Sequence, residues 1–167
     1  MSETADKLVN RRDMYMRPLQ KRDFFEFRKA AIESTETNYE YLPLGEMFEN
    51  LNIFEFSKGY ASFVEDENFD HWGVFHRNQL VGHIGFSFAL GPFGAELLGW
   101  VRNGYHGQGI GEISLQTACA IAFNQKMFNY VELRIKQSNK PSRRAAEKAG
   151  FTPVLKVGSS TLVGFEP

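Results

Sequence analysis

Tyr105-His106-Gly107-Gln108-Gly109-Ile110-Gly111 sets three glycines at alternate positions. The loop runs directly into Ile110, Ile113, Thr117, Ala118 and Ile121, which recur at helical spacing. Glycine lets a backbone come close to a ligand and adopt positive φ. The N–H groups that open a helix have no intrahelical acceptor, and the helix dipole adds partial positive charge there, so the combination suits a phosphate. A tight turn alone would account for the glycines equally well. Two nucleotide-binding signatures fit poorly. A Walker loop needs Gly-Lys-Ser/Thr, but Gly111 is followed by Glu112-Ile113. A dinucleotide fingerprint should follow an early strand, spaced Gly-x-Gly-x-x-Gly, with an acid on a central parallel strand. Here the glycines come late, and Glu132, 21 positions after Gly111, lies on a strand that alternates as half-exposed.

The other residues with chemical capacity are few. Asn139-Lys140-Pro141-Ser142-Arg143-Arg144-Ala145-Ala146-Glu147-Lys148-Ala149-Gly150-Phe151 encodes one short helix, with Ser142 as a good N-cap and Gly150 as a good C′ residue. Glu96 shares a strand face with Leu98 and Trp100, so it is either an acid beside large apolar groups or an exposed strand-end charge. The single cysteine, Cys119, excludes an internal disulfide and reads as a buried structural thiol. His71, His76 and His83 have no metal-ligand spacing and read as structural or surface residues, so no metal is expected.

The elements that must position these residues follow from periodicity. Met14 to Leu19 reads as a strand and Gln20 to Ser34 as a helix carrying Phe24, Phe27, Ala31 and Ile32. Pro43 breaks the chain, and Gly45 to Val64 reads as an interrupted helical region. Trp72 to His76, Gln79 to Leu90 and Ala95 to Arg102 read as an antiparallel meander with turns at Arg77-Asn78 and Gly91 to Gly94. The glycine loop opens a helix to about Lys126, Tyr130 to Gln137 alternates as a strand, and Ser142 to Ala149 is a helix. Phe151 to Val157 and Thr161 to Phe165 close the chain as strands.

The chain has 167 residues, one domain's worth, so residues 1–167 read as a single α+β domain. Net charge is −1, which argues against general nucleic-acid binding. Phenylalanine occurs 16 times, enough for a large aromatic core or an apolar cleft. Met1 to Asp13 is polar and charged, unlike a secretion signal, and no run approaches the ~20 apolar residues of a membrane span. A cytoplasmic location and no membrane partner are expected.

The two motifs together, at this spacing, resemble the GNAT superfamily of N-acetyltransferases. There a strand leads to a loop of type Arg/Gln-x-x-Gly-x-Gly/Ala, a helix and a strand, then Asn-x-x-Ser before a helix ending Gly-Phe. His106-Gly107-Gln108-Gly109-Ile110-Gly111 departs only at its first position, where His106 replaces Arg or Gln. Ala95-Glu96-Leu97-Leu98-Gly99-Trp100-Val101 and the early Met16-Arg17-Pro18-Leu19 are similar to the RimJ/RimL branch, which includes acetylases of ribosomal-protein N-termini. The likeness is good from about Ala95 to Pro153 and thin over Gln20 to Phe69, the region that usually shapes the acceptor site.

The resemblance implies a mixed α/β, mostly antiparallel sheet flanked by helices and splayed at a cofactor cleft between the Ala95–Arg102 and Tyr130–Gln137 strands. It implies acetyl-CoA as co-substrate. Its pantetheine arm would pair with backbone near Trp100, Val101 and Arg102. Its pyrophosphate would sit on N–H groups of His106, Gly107, Gln108, Gly109, Ile110 and Gly111, and Asn139 would meet the pantetheine or thioester region. The reaction would be direct attack of a neutral amine on the thioester, with Glu96 as base and Ser142 as candidate donor to the leaving thiolate; Tyr105 and Tyr130 are weaker donor candidates. At pH 7 a neutral α-amine costs ~1.4 kcal/mol and a neutral lysine ~4.6 kcal/mol. The leading acceptor is a protein N-terminal α-amino group. The alternatives are a small amine (polyamine, amino sugar or antibiotic) and a non-catalytic acyl-CoA-binding regulatory module.

Overall fold

The computed structural model of the chain describes residues 11–34 and 51–165. Its sheet grows from a hairpin. Arg77 and Asn78 have φ of 47° and 65°, the two positive values of a type I′ turn, whose twist matches the strands it joins. The turn folds β2 (Phe69–His76) against β3 (Gln79–Ser87). β1 (Met14–Pro18) pairs with the other edge of β2, and β4 (Gly94–Val101) with the other edge of β3, all antiparallel. β5 (Tyr130–Lys136) joins β4 in parallel, β7 (Ser160–Phe165) pairs with β5, and β6 (Thr152–Val157) forms the far edge. The order is β1-β2-β3-β4-β5-β7-β6.

Joining β4 to β5 in parallel requires a crossover, and α3 (Ile110–Asn124) supplies it. It packs on one sheet face with α4 (Lys140–Ala149). Ile110, Leu115, Ala118 and Ile121 bury themselves there against Phe86, Leu97, Val131 and Leu133. The opposite face carries α1 (Phe24–Glu33) and α2 (Ile53–Val64), where Phe27, Phe56 and Tyr60 meet Phe75, Leu80 and Trp100. Phenylalanines line both layers, and in this second one Phe27 contacts the rings of Tyr60, Phe63, His83 and Trp100.

Several boundaries differ from the sequence expectation for identifiable reasons. The helix expected from Gln20 begins as a 3-10 turn at Lys21–Asp23 and becomes α-helical at Phe24. Asp23 holds that entry, accepting from Gln20 N at 2.8 Å and from both Arg17 Nη atoms at 2.7 Å. The strand expected to reach Leu90 stops at Ser87, because the chain turns there, with Gly91 N closing a turn on Phe88 O. Of the region 45–64, residues 45–50 lie outside the described residues. α2 starts at Ile53 because Asn52 and Glu55 form a reciprocal capping box.

The helix expected to start at Ser142 starts two residues earlier, with Asn139 as its N-cap. Asn139 Oδ1 accepts from Ser142 N at 3.1 Å, so Ser142 is not the cap. Proline is tolerated in a helix's first turn, which lets Pro141 lie inside. Gly150 takes φ 101° as the left-handed C-terminal residue. Cys119 is buried, which pushes its thiol up to about 12, as fits a structural thiol.

Candidate active site

β4 and β5 do not run together for their full length. Their parallel register covers Gly94↔Tyr130 to Leu97↔Leu133 and then ends. Beyond it, Leu98 to Val101 remain paired with β3 alone and Arg134 to Lys136 with β7 alone. A gap therefore opens toward the C-terminal ends of both strands, and the glycine loop and the start of α3 follow β4 at that end. Arg102 N donates to Val81 O at 2.8 Å, so by antiparallel alternation the backbones of Trp100 and Leu98 also face β3. That leaves Gly99 and Val101 as the β4 backbone facing the gap.

Positive φ recurs through the loop, at Gly104 (84°), Gly107 (75°) and Gly109 (78°). Gly109 is the N-cap of α3 with no side-chain cap, and the first intrahelical bond runs from Ile113 N to Gly109 O. The N–H groups of Ile110, Gly111 and Glu112 thus have no intrahelical acceptor, an arrangement suited to an anion. A Cβ at Gly107 would meet nothing within 4 Å, so the loop backbone is open to a ligand there. Gly111 has a different reason: a Cβ would lie 3.3 Å from Ala145 Cβ, so this glycine lets α3 close on α4.

Side chains around the loop are already committed. His106 Nε2 lies 2.8 Å from Val101 O, so as the donor that nitrogen carries the proton. Arg102 is buried, with Nε 2.7 Å from Glu33 Oε2 and Nη1 donating to Leu80 O at 3.0 Å, which ties the end of β4 to α1. Gln108 Nε2 donates to Gly104 O. Tyr105 OH donates to Gln79 Oε1 at 2.8 Å. Tyr130 lies at the paired end of β4 and β5, away from the gap, with its ring over Gly94. Asn139 caps α4, and Ser142, in that helix's first turn, is half-buried.

Glu96 projects from the α1/α2 side of the sheet, the face of Leu98 and Trp100. It pairs in register with Glu132 on β5, one step before the strands part. Burial, and then the charge of Glu96, push the Glu132 carboxyl up. Arg134 Nε approaches Glu96 Oε1 at 3.9 Å, a loose and partly exposed pair. Farther from the gap on the same face, His71 Nδ1 and His83 Nε2 share a 3.1 Å hydrogen bond under the ring of Phe63. Burial lowers their pKa values to about 4 and about 3, so both are neutral structural groups at pH 7. Among the described residues no cluster of three metal-ligating side chains occurs.

A family model described as "Acetyltransferase (GNAT) domain" matches residues 13–152. The chain belongs to the GNAT acetyltransferase family. It is therefore an acyltransferase, and its fold agrees with solved relatives. The aminoglycoside acetyltransferase AAC(6′)-Ib, solved with ribostamycin and coenzyme A, is 16% identical over 92% of this chain and 93% of that one, at TM-score 0.77. RimL, a ribosomal α-N-protein acetyltransferase solved with coenzyme A, is 14% identical over 95% and 96%, at 0.78. A ribosomal-protein-S5-alanine acetyltransferase from Vibrio fischeri is 11% identical over 92% and 93%, at 0.74. Comparison with curated proteins found no match.

Two neighbours of this candidate site escaped sequence reasoning. Glu132 counted only as half of a dinucleotide signature, because its proximity to Glu96 depends on the parallel register of β4 and β5. Arg11 precedes the first strand, yet its Nη2 lies 3.4 Å from where a Gly109 Cβ would stand. No spacing rule connects residues 98 positions apart.

Proposed function

We propose that this GNAT domain is an acetyl-CoA-dependent N-acetyltransferase that transfers acetyl directly to an amine. The observation that carries this reading is the parting of β4 from β5 after Leu97↔Leu133, with the uncapped start of α3 following β4 at the open end. Gly99 and Val101 would hold the pantetheine arm through their backbones, and the N–H groups from Gly107 to Glu112 would hold the pyrophosphate. Bound acetyl-CoA supplies an activated thioester. On the other face, Glu96 would take the proton of the acceptor ammonium, directly or through water, and Glu132 beside it would keep negative charge at that point. Ser142 remains the candidate donor to the thiolate, and its hydroxyl is not needed as a cap.

The leading acceptor is a protein N-terminal α-amino group, in line with the likeness to RimL. The side-by-side carboxylates of Glu96 and Glu132 favour a second reading, a multiply charged small amine, in line with AAC(6′)-Ib. Release of free thiol from acetyl-CoA, measured with N-terminal peptides beside polyamines and aminoglycosides, separates the two. Peptides should give the higher kcat/KM. Higher values for small polycations would transfer the assignment to the second reading, and no thiol release above hydrolysis with any of these amines would overturn both acceptor readings.

The loop has its own test. Gly107→Asp introduces an acid where a Cβ has open space and where aspartate tolerates the left-handed backbone; Gly107→Asn is its uncharged counterpart. Calorimetry should show coenzyme A binding more than ~10-fold weaker for the Asp form than for the Asn form, because like charges repel at short range. Equal affinities for the two would remove the pyrophosphate from this loop.

A further inference from the structure

We infer that Arg11 is a phosphate-binding residue whose guanidinium closes over the coenzyme A pyrophosphate at the start of α3. The inference rests on the loop reading above and adds a residue from a distant part of the chain.

Topology brings Arg11 to the loop. β1 lies three strands from β4, but its N-terminus is at the same end of the sheet as the C-terminus of β4. The registers Met14↔His76, His76↔Gln79 and Gly82↔Val101 fix that end. The short turn Arg11–Asp13 is anchored there, with Arg77 N donating to Asp13 O and Arg77 Nε 3.1 Å from Asp13 Oδ2. From it Arg11 Nη2 reaches to 3.4 Å from the Cβ position of Gly109.

Electrostatics supplies the rest. A guanidinium beside the N-terminus of a helix faces the positive end of the dipole and three N–H groups without intrahelical acceptors. An anion between these two positive groups interacts favourably with both at once. Arg102 and His106, which precede the glycines, are turned elsewhere: Arg102 toward Glu33 and Leu80, His106 toward Val101 O. Arg11 then gives the cradle its fixed charge, forked to bond two phosphate oxygens at once, and the backbone gives it shape.

The test compares the parent protein, Arg11→Ala and Arg11→Lys by calorimetric titration with coenzyme A and dephospho-coenzyme A, and by NMR titration with S-acetylpantetheine, which lacks the pyrophosphate. Arg11→Ala should bind both nucleotides ~10-fold or more weakly at low salt, with acetylpantetheine unchanged. Arg11→Lys should recover part of the loss, and the gap between parent and Arg11→Ala should narrow as salt rises. Parental affinity for coenzyme A in Arg11→Ala overturns the inference. So does a loss confined to coenzyme A, which would move Arg11 to the 3′-phosphate, and so does an equal loss for acetylpantetheine, which would mean damage to the cleft. The Gly107→Asp and Gly107→Asn pair reports on the loop independently: if those two differ while Arg11→Ala binds normally, the loop reading stands and only the role of Arg11 falls.

Discussion

Amine acetylation needs a lone pair, and a protein α-amino group, with pKa about 8, gives one up more readily than lysine. A modest base therefore suffices, and the proposed base Glu96 lies on the α1/α2 face, one residue before β4 and β5 part. Glu132 sharpens the expectation. Its partly buried carboxyl is pushed up by burial and by Glu96, so the two carboxyls act on one another across the register. Glu96→Gln keeps the shape and removes the basic oxygen. At pH 7 it should lower kcat by ~10²-fold with coenzyme A affinity nearly unchanged. The deficit should shrink toward pH 9, where the α-amine is neutral without help. Rate profiles from pH 6 to 9 check this; a parental kcat at pH 7, or a deficit independent of pH, would leave Glu96 as a binding or surface acid.

At the scale of elements, the start of α4 separates capping from chemistry. Asn139 makes the cap, so Asn139→Ala should cost ~1 kcal/mol and lower Tm by ~2–4 °C. Ser142→Ala should leave Tm within a degree or so, and a fall in kcat with that variant would then report on the thiolate rather than on folding. An unchanged kcat would remove Ser142 from the mechanism. This element also shows how far the sequence was legible. The helix, its glycine stop and its place after β5 were all readable, because local spacing encodes them. The cap was misread as Ser142: Asn139, three residues earlier, takes it and draws Pro141 into the first turn. The meander, its tight turn at Arg77-Asn78 and the α3 loop were readable for the same reason. The reason for Gly111, the nearness of Glu132 to Glu96 and the reach of Arg11 were not, because each depends on how separate elements pack.

At the scale of the molecule, one sheet serves two sides. The α3/α4 side and the open end of β4 adjoin the glycine loop, and the α1/α2 side carries Glu96 on a sheet face lined by aromatic rings. The second side has a cost that pH can expose. His71 and His83 are bonded to each other beneath Phe63, and the Nδ1 of His83 is buried without a partner. Burial is the main cause of both depressed values; Asp66 and Asp70 favour a charged His71 but do not offset it, and a charged His71 would further oppose charge on His83. An unfolded histidine titrates near 6.5. Below that pH the unfolded chain takes up protons that the folded chain refuses until about 4 for His71 and about 3 for His83. Stability is therefore complete above pH 6.5 and falls as pH drops, with a slope of up to about 1.4 kcal/mol per pH unit for each histidine. Asp23 acts in a lower window: its hydrogen bonds with Arg17 and Gln20 N outweigh burial and depress its pKa, so its contribution is lost only below the ordinary carboxylate range. Denaturant unfolding between pH 7 and 4.5 should show the histidine slope. His71→Gln should reduce it by about half, since only one of the two proton refusals remains. An unaltered slope in that variant, or a parent protein equally stable at pH 7 and 4.5, would mean that the pair is solvated or charged in the folded state and is not the neutral, buried pair described.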